Sequence, residues 1–302
     1  MTLTERAEVE PPAGTEAAGR NRIQPRGPGD PTATIIRPSG RWPGLGLAEF
    51  WGLRRICLVL ARRDLMVRYR QTLIGSAWAI VQPVLLMIVF SIFFGLLGRL
   101  PSAGLPYPVF FLLGLVPWQM VAKILNQGSA SVTANAALVT RVYFPRTYFP
   151  VSVALASLVD LALASIALAV ILLAFGVMPG VAIVVLPIFV AIAWMTALGV
   201  AFWLSAINVT YRDIVQLLPF LTQVWMFSSP IIYPATLVPA PYHVIYFLNP
   251  LALVVSGFRW AIGGAPAPPA EAWLLGSVVS AAVLASGYIF FRRREATFAD
   301  VL

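Results

Sequence analysis

Two ionisable side chains stand inside long apolar runs of this sequence: Lys123 in Val-Ala-Lys-Ile-Leu and Asp160 in Leu-Val-Asp-Leu-Ala. A charge in such a setting is costly in hydrocarbon and marks a functional position by default. Lys123 lies 18 residues before Arg141, and Asp160 lies 19 residues after it. An antiparallel hairpin turning near Arg141 would put both at nearly one depth. There they either pair or share an intramembrane polar layer with separate backbone partners; the spacing fits both. Lys123 is the only lysine, so the Gly-x-x-x-x-Gly-Lys-Ser/Thr loop that cradles nucleotide phosphates is absent. One histidine, His243, and one cysteine, Cys57, make no metal site alone and no internal disulfide. The carboxylates in or near the apolar runs are isolated, so no nucleophile, base and orienting group come together as hydrolases and transferases require. The chain is expected to hold no catalytic residue, no metal and no cofactor, and any ATP and magnesium would be bound by a partner subunit.

The elements that carry these residues follow from composition. Of 302 residues, 59% are hydrophobic and only 11% charged, against about a quarter charged in soluble domains. So much apolar surface cannot be hidden in a core and must face lipid. The net charge of +9 sits beside the apolar runs, which favours a membrane surface over nucleic acid. Runs of about 20 apolar residues cross a hydrocarbon layer. They fall at Leu73–Leu97, Tyr107–Ala136, Tyr148–Val177, Ala182–Asn208, Ile214–Tyr233 and Ala272–Phe291. The expected fold is therefore an all-α membrane protein with six transmembrane helices. The last third of the second run is polar (Asn126, Gln127, Ser129, Ser131, Thr133, Asn135), so it protrudes from the membrane or lines the bundle. Aromatic residues of the first and fifth runs, Trp78, Phe90, Trp225, Phe227 and Tyr233, belong to interfacial belts or line a path for sugars.

Arginine asymmetry orients the helices. Six crossings put both termini on one side. That side holds twelve arginines before Leu73, together with Arg141, Arg146, Arg212 and Arg292 to Arg294; the other holds Arg99 and Arg259. Both termini are expected in the cytoplasm of a cell with this chain in its plasma (inner) membrane. Residues 1–46 are rich in Pro, Gly, Arg and Glu and read as a disordered cytoplasmic arm without the apolar stretch of a secretory leader. Residues 47–72 mix apolar side chains with six arginines, as an amphipathic interfacial helix does, or a basic flank of the first span. Residues 73–291 are expected to form a six-span transmembrane domain and 292–302 a cytoplasmic tail. Between spans five and six, Pro241–Leu248 and Leu251–Ile262 are apolar but too short to cross, and Asn249 can cap the second with Pro250 at its first position. Two short outer-face helices there are a pore cap or a loop lying on the surface.

Four stretches resemble one family. The first runs from Arg63-Asp64 through Arg68-Tyr69-Arg70-Gln71-Thr72-Leu73-Ile74-Gly75 to Trp78 and Gln82-Pro83. The second is Ala137 to Arg146, the third Asn208 to Ile214, and the fourth Ser229 to Pro234 with Asn249-Pro250-Leu251 and Phe258-Arg259. In order and spacing they resemble the membrane permeases of bacterial polysaccharide ABC exporters, the type-2 exporters of O-antigen, teichoic acid, capsule or galactan-like chains. The resemblance implies a homodimer bound to two copies of a separate ABC ATPase subunit, exporting a lipid-linked polysaccharide. It assigns ATPase coupling to Leu138, Val139, Arg141, Tyr143, Phe144, Pro145 and Arg146, and an outer gate to Asn249, Pro250 and Arg259. Arg212 and Asp213, on the second cytoplasmic turn, either pair locally or touch the ATPase. Rival readings are an exporter of a small lipid or drug with the same architecture, and a non-transporting membrane scaffold.

Overall fold

A computed structural model of the chain describes residues 52, 54–70, 75–141 and 145–301. Among them the structure is helical and holds no strand. The arm expected at 1–46 lies outside the described residues. The first helix, α1 (Arg54–Arg70), buries Cys57, Leu60 and Ala61 and packs on the helix that carries Asp160. Its Ile56, Leu58, Val59, Met66 and Val67 are exposed. The first apolar run forms α2 (Trp78–Phe90), which continues in wider π-helical turns over Ser91–Leu97. Gly95 is required there by close approach: a Cβ at this position would stand 2.6 Å from Cγ of Tyr107.

The chain continues as α3 (Tyr107–Ala134), the short α4 (Ala136–Arg141), α5 (Tyr148–Ala174), α6 (Leu186–Thr210) and α7 (Ile214–Ser228). Then come α8 (His243–Phe247), α9 (Pro250–Gly263), α10 (Ala270–Arg294) and α11 (Phe298–Val301). Among the described residues five helical stretches are long and apolar enough to cross a membrane: Gly75–Leu97, Tyr107–Ala134, Tyr148–Ala174, Val181–Thr210 and Ala270–Thr297. The helix α3 is the centre of the bundle, with 78% of its apolar window buried, whereas the first and last stretches bury only 22% each. Those two therefore leave most of their apolar surface for lipid or for another chain.

The expected fifth span, Ile214–Tyr233, is shorter than the apolar run suggests. The helix α7 has 15 residues, about 22 Å at 1.5 Å per residue against a hydrocarbon layer of about 30 Å. It stops because Ser229 precedes Pro230, and the proline ring forces Ser229 into extended backbone (φ −104°, ψ 154°). The apolar residues beyond, Ile231 to Tyr233, form a buried or half-buried turn rather than more helix.

The tightest crossing joins α6 and α10. A Cβ at Gly199 would meet the Val283 carbonyl at 2.6 Å and Leu284 Cα at 2.7 Å, and one at Gly287 would overlap the Gly199 carbonyl. With backbones this close, the Thr196 and Ser280 hydroxyls bond across the interface at 2.9 Å. Replacing Gly287 by Val should therefore destabilise the protein by about 3 kcal/mol or more, the upper range for overpacking. A detergent-solubilised melt would show this as a sharp fall in midpoint, while Ser286→Val, next to it on the exposed face, leaves the midpoint in place.

Candidate substrate cleft and coupling surface

The helices α3 and α5 bring Lys123 and Asp160 together: Lys123 Nζ lies 2.7 Å from Asp160 Oδ2. A second cation arrives from α1. Arg68 Nη1 donates to the same Oδ2 at 2.5 Å, its Nη2 donates to Gln127 Oε1, and the Tyr69 hydroxyl donates to Asp160 Oδ1. Burial, followed by this bond to the carboxylate, pushes the Tyr69 hydroxyl up to about 12. One carboxylate thus holds two cations and a phenol, and it ties α1, α3 and α5 into one node. Beside the node opens a cleft of about 430 Å³ lined by Trp78, Gln82, Trp118, Gln119, Asn126 and Gln127, with Arg68, Lys123 and Asp160.

Of the aromatics expected along a sugar path, Trp78 lines this cleft and is exposed. Phe90 does not; it is buried edge-on against Phe94 and Phe111. Trp225 is half-buried against Trp118 and donates to Asn249 at 3.0 Å. Phe227 is exposed on α7, and Tyr233 is half-buried in the turn after it.

Two of the three residues expected at the outer gate, Asn249 and Arg259, pin that turn. Asn249 Oδ1 caps α9 by accepting from Leu251 N at 3.1 Å, and its Nδ2 donates to Ser229 Oγ at 2.9 Å. Pro250, buried, occupies the first helical position, where its missing N–H leaves no gap. Arg259 is buried with no ion-pair partner among the described residues. Its guanidinium lies 3.5 Å from the Phe110 ring centroid and donates to the carbonyls of Ile231 at 2.9 Å, Tyr233 at 3.3 Å and Phe110 at 3.4 Å. It supplies the donors that a broken helix end lacks.

At the opposite end of α3, Leu138 is half-buried and Val139 buried in α4, which ends at Arg141. Tyr143 and Phe144 lie outside the described residues, as does the Arg141 side chain. Pro145 is buried. Arg146 reaches the tail: its backbone N–H donates to Glu295 Oε1 at 2.6 Å and its Nη1 to the Glu295 carbonyl. Arg292 Nη1 holds the other carboxylate oxygen at 2.6 Å, and Phe298 seats on Phe291 at 5.2 Å between centroids. On the α1 side, Arg63 donates to Asn135 Oδ1 at 2.8 Å, and Asp64 accepts from Arg63 at 3.0 Å and from Ser152 at 2.9 Å. Arg212 and Asp213 are exposed, and no ion pair joins them among the described residues.

Sequence reading missed Arg68, Tyr69, Asp64 and Glu295 as site residues. The available signal was a carboxylate within an arginine run, Glu295 three residues after Arg292. Hydrogen bonds to a charged group contribute about 1.5–3 kcal/mol, and about 1.4 kcal/mol corresponds to tenfold in local opening. Glu295→Gln should therefore speed trypsin cleavage after Arg146 about tenfold in the folded protein; unchanged cleavage would show that the tail does not hold this turn.

Residues 55–262 match the family described as ABC-2 type transporter. The chain belongs to that family. An O-antigen export system permease protein RfbA from Myxococcus xanthus is 27% identical over 256 residues, 83% of this chain and 97% of the relative. A second RfbA, from Klebsiella pneumoniae, is 26% identical over 205 residues, 68% of this chain and 78% of its own. The polysialic acid transport protein KpsM of Escherichia coli is 23% identical over 201 residues, 66% of this chain and 78% of its own. The matched segment of this ABC-2 chain includes the Arg68–Lys123–Asp160 node, α4 and the Asn249–Arg259 turn lock, and stops short of Glu295.

Proposed function

We propose that this ABC-2 chain is the membrane permease of an ABC exporter that moves a lipid-linked polysaccharide across the plasma membrane. ATP is hydrolysed in a separate subunit. The observation that carries this reading is the alignment to an O-antigen export permease over 97% of that relative's length, combined with a sequence that lacks a nucleotide-binding loop. The chain itself makes and breaks no bond. Two permeases form the pathway and two ATPase copies dock on the α4 end, around Ala136–Arg146 and the exposed Arg212 and Asp213. The exposed apolar faces of α2 (Leu85, Ile88, Val89) and α7 (Leu217, Phe220, Val224) support a second copy as neighbour. ATP binding in the partner moves α4, and the bundle changes state through differential contacts.

In this scheme α7 and the turn pinned by Asn249 and Arg259 together make the fifth crossing. Irregular backbone at membrane depth is tolerated where protein covers it, and Arg259 covers it here. The termini, α4 and the arginine-rich segments face the cytoplasm, with α1 lying in the inner interface. Cys57 gives a quiet background for testing this. It is buried, and burial, with Asp64 behind it, pushes its thiol up to about 11, so little reactive thiolate forms near neutral pH. A cysteine placed at Arg212 should be labelled by a membrane-impermeant maleimide only in opened cells; labelling in intact cells would reverse the orientation. Substrate class is tested by depletion of the protein, which should cause a lipid-linked polymer to accumulate on the inner face. Accumulation of a small lipid instead would transfer the reading to that rival, and no accumulation would favour a scaffold.

A further inference from the structure

We propose that the cleft between α1, α2, α3 and α5 is a binding site for a sugar phosphate, with the phosphate at Lys123 and Arg68 and the sugar ring between Trp78 and Trp118. The inference deepens the export reading and rests on it. Three observations lead to it. The first is charge: among the described lining residues Asp160 is the only acid, while Lys123 and Arg68 are both cations. After their mutual ion pairs the cleft keeps one net positive charge in a place where an uncompensated charge is costly, and an anionic phosphate group would offset it.

The second observation is unused donor capacity. Arg68 has five N–H donors and Lys123 three; the bonds to Asp160 and Gln127 take up only part of that capacity, and both residues line the cleft. Gln119 also lines it, and its Nε2 is buried with no hydrogen-bond partner among the described residues. A buried amide nitrogen without an acceptor costs stability unless a ligand supplies one. The third is the remaining wall. Gln82, Asn126 and Gln127 offer amides of both polarities for hydroxyls, and the indole faces carry the negative quadrupole that suits the electropositive C–H face of a sugar. The volume, about 430 Å³, lies in the range that small ligands occupy.

The phosphate has two sources, a lipid-borne sugar phosphate head or a free sugar phosphate. Both are tested on the full chain in uncharged phosphatidylcholine nanodiscs, by equilibrium binding of radiolabelled glucose 1-phosphate and farnesyl-phosphoglucose. Saturable binding is expected, displaced by inorganic phosphate and far less by glucose. Lys123→Gln should weaken binding of both probes at least tenfold. Trp78→Ala should weaken both probes severalfold yet leave competition by inorganic phosphate unchanged. Asp160→Asn, which raises the net charge of the cleft, should tighten binding; a purely structural node predicts the reverse. A tenfold preference for farnesyl-phosphoglucose assigns the site to a lipid-borne head, and equal affinity assigns it to the free form. No saturable binding of either probe, or binding that Lys123→Gln and Trp78→Ala leave unchanged in protein eluting normally, would overturn the proposal. Export that persists while binding is absent would sink this site alone; binding without any polysaccharide export would sink the transport reading instead.

Discussion

Arg259→Met should lower the melting midpoint of the purified protein by roughly 6 °C or more, taking about 3 kcal/mol at roughly 2 to 4 °C per kcal/mol for a domain of this size. The figure follows from what the guanidinium does. It donates to three carbonyls, those of Ile231, Tyr233 and Phe110, and each acceptor left dry costs about 1–3 kcal/mol. Methionine fills the space and removes a buried charge, which offsets part of the loss. Arg259→Lys keeps the charge but not the planar fork, so it cannot reach three acceptors at once and should recover little. The turn that Arg259 holds begins at Pro230, and protease sensitivity there should rise together with the fall in midpoint. A Met variant that melts like the parent and protects the turn would mean that α7 ends stably without the clamp.

The second large effect is at Asp160. Asp160→Leu strands two cations inside the bundle, and removing one partner of a buried ion pair costs about 3–5 kcal/mol. The side chains of Lys123 and Arg68 keep 23% and 17% exposure, which places the expectation at the lower end. Lys123→Leu should cost much less, because Arg68 still neutralises Asp160. Exchanging the charges, Lys123→Asp with Asp160→Lys, rebuilds the α3–α5 pair but sets the new lysine against Arg68. Rescue should therefore be partial and improve when Arg68→Gln is added. A double-mutant cycle on detergent melts reads the coupling directly; equal losses for Asp160→Leu and Lys123→Leu, with no coupling, would dismantle the node.

What the sequence disclosed was mostly local. Tyr107 and Tyr148 open their helices where the apolar runs begin, because a run of this length and the membrane that selects it share one dimension. The cap at Asn249 followed by Pro250 is readable for the same reason: a side chain and the amide two residues on decide it. Helix ends are harder. Apolar residues resume at Ile231 to Tyr233 past Ser228 and Ser229, yet Pro230 stops the helix, and α10 runs on through Arg292 to Arg294 although the apolar stretch ends at Phe291. Hydropathy reports depth and not backbone hydrogen bonding.

The least legible features are contacts between distant segments. Residue counting from a turn near Arg141 places Lys123 and Asp160 at one depth, but nothing in the count brings Arg68 and Tyr69, more than ninety residues away, onto the same carboxylate. Those contacts depend on how α1 lies along α5. Glu295 reaches Arg146 across 149 residues, and no periodicity encodes that. The family's sequence motifs mark where such contacts are made without revealing which atoms make them.

The central claim is that this permease passes a polysaccharide through the membrane on energy from a second subunit. Its most direct measurement is reconstitution of the chain with its cognate ATPase in sealed vesicles loaded on one face with the lipid-linked polymer. The account predicts that the glycan becomes accessible to an impermeant glycosidase on the far face only when ATP is hydrolysed. A glycan that stays protected while ATP turnover proceeds, or turnover that responds only to a small lipid, would contradict it.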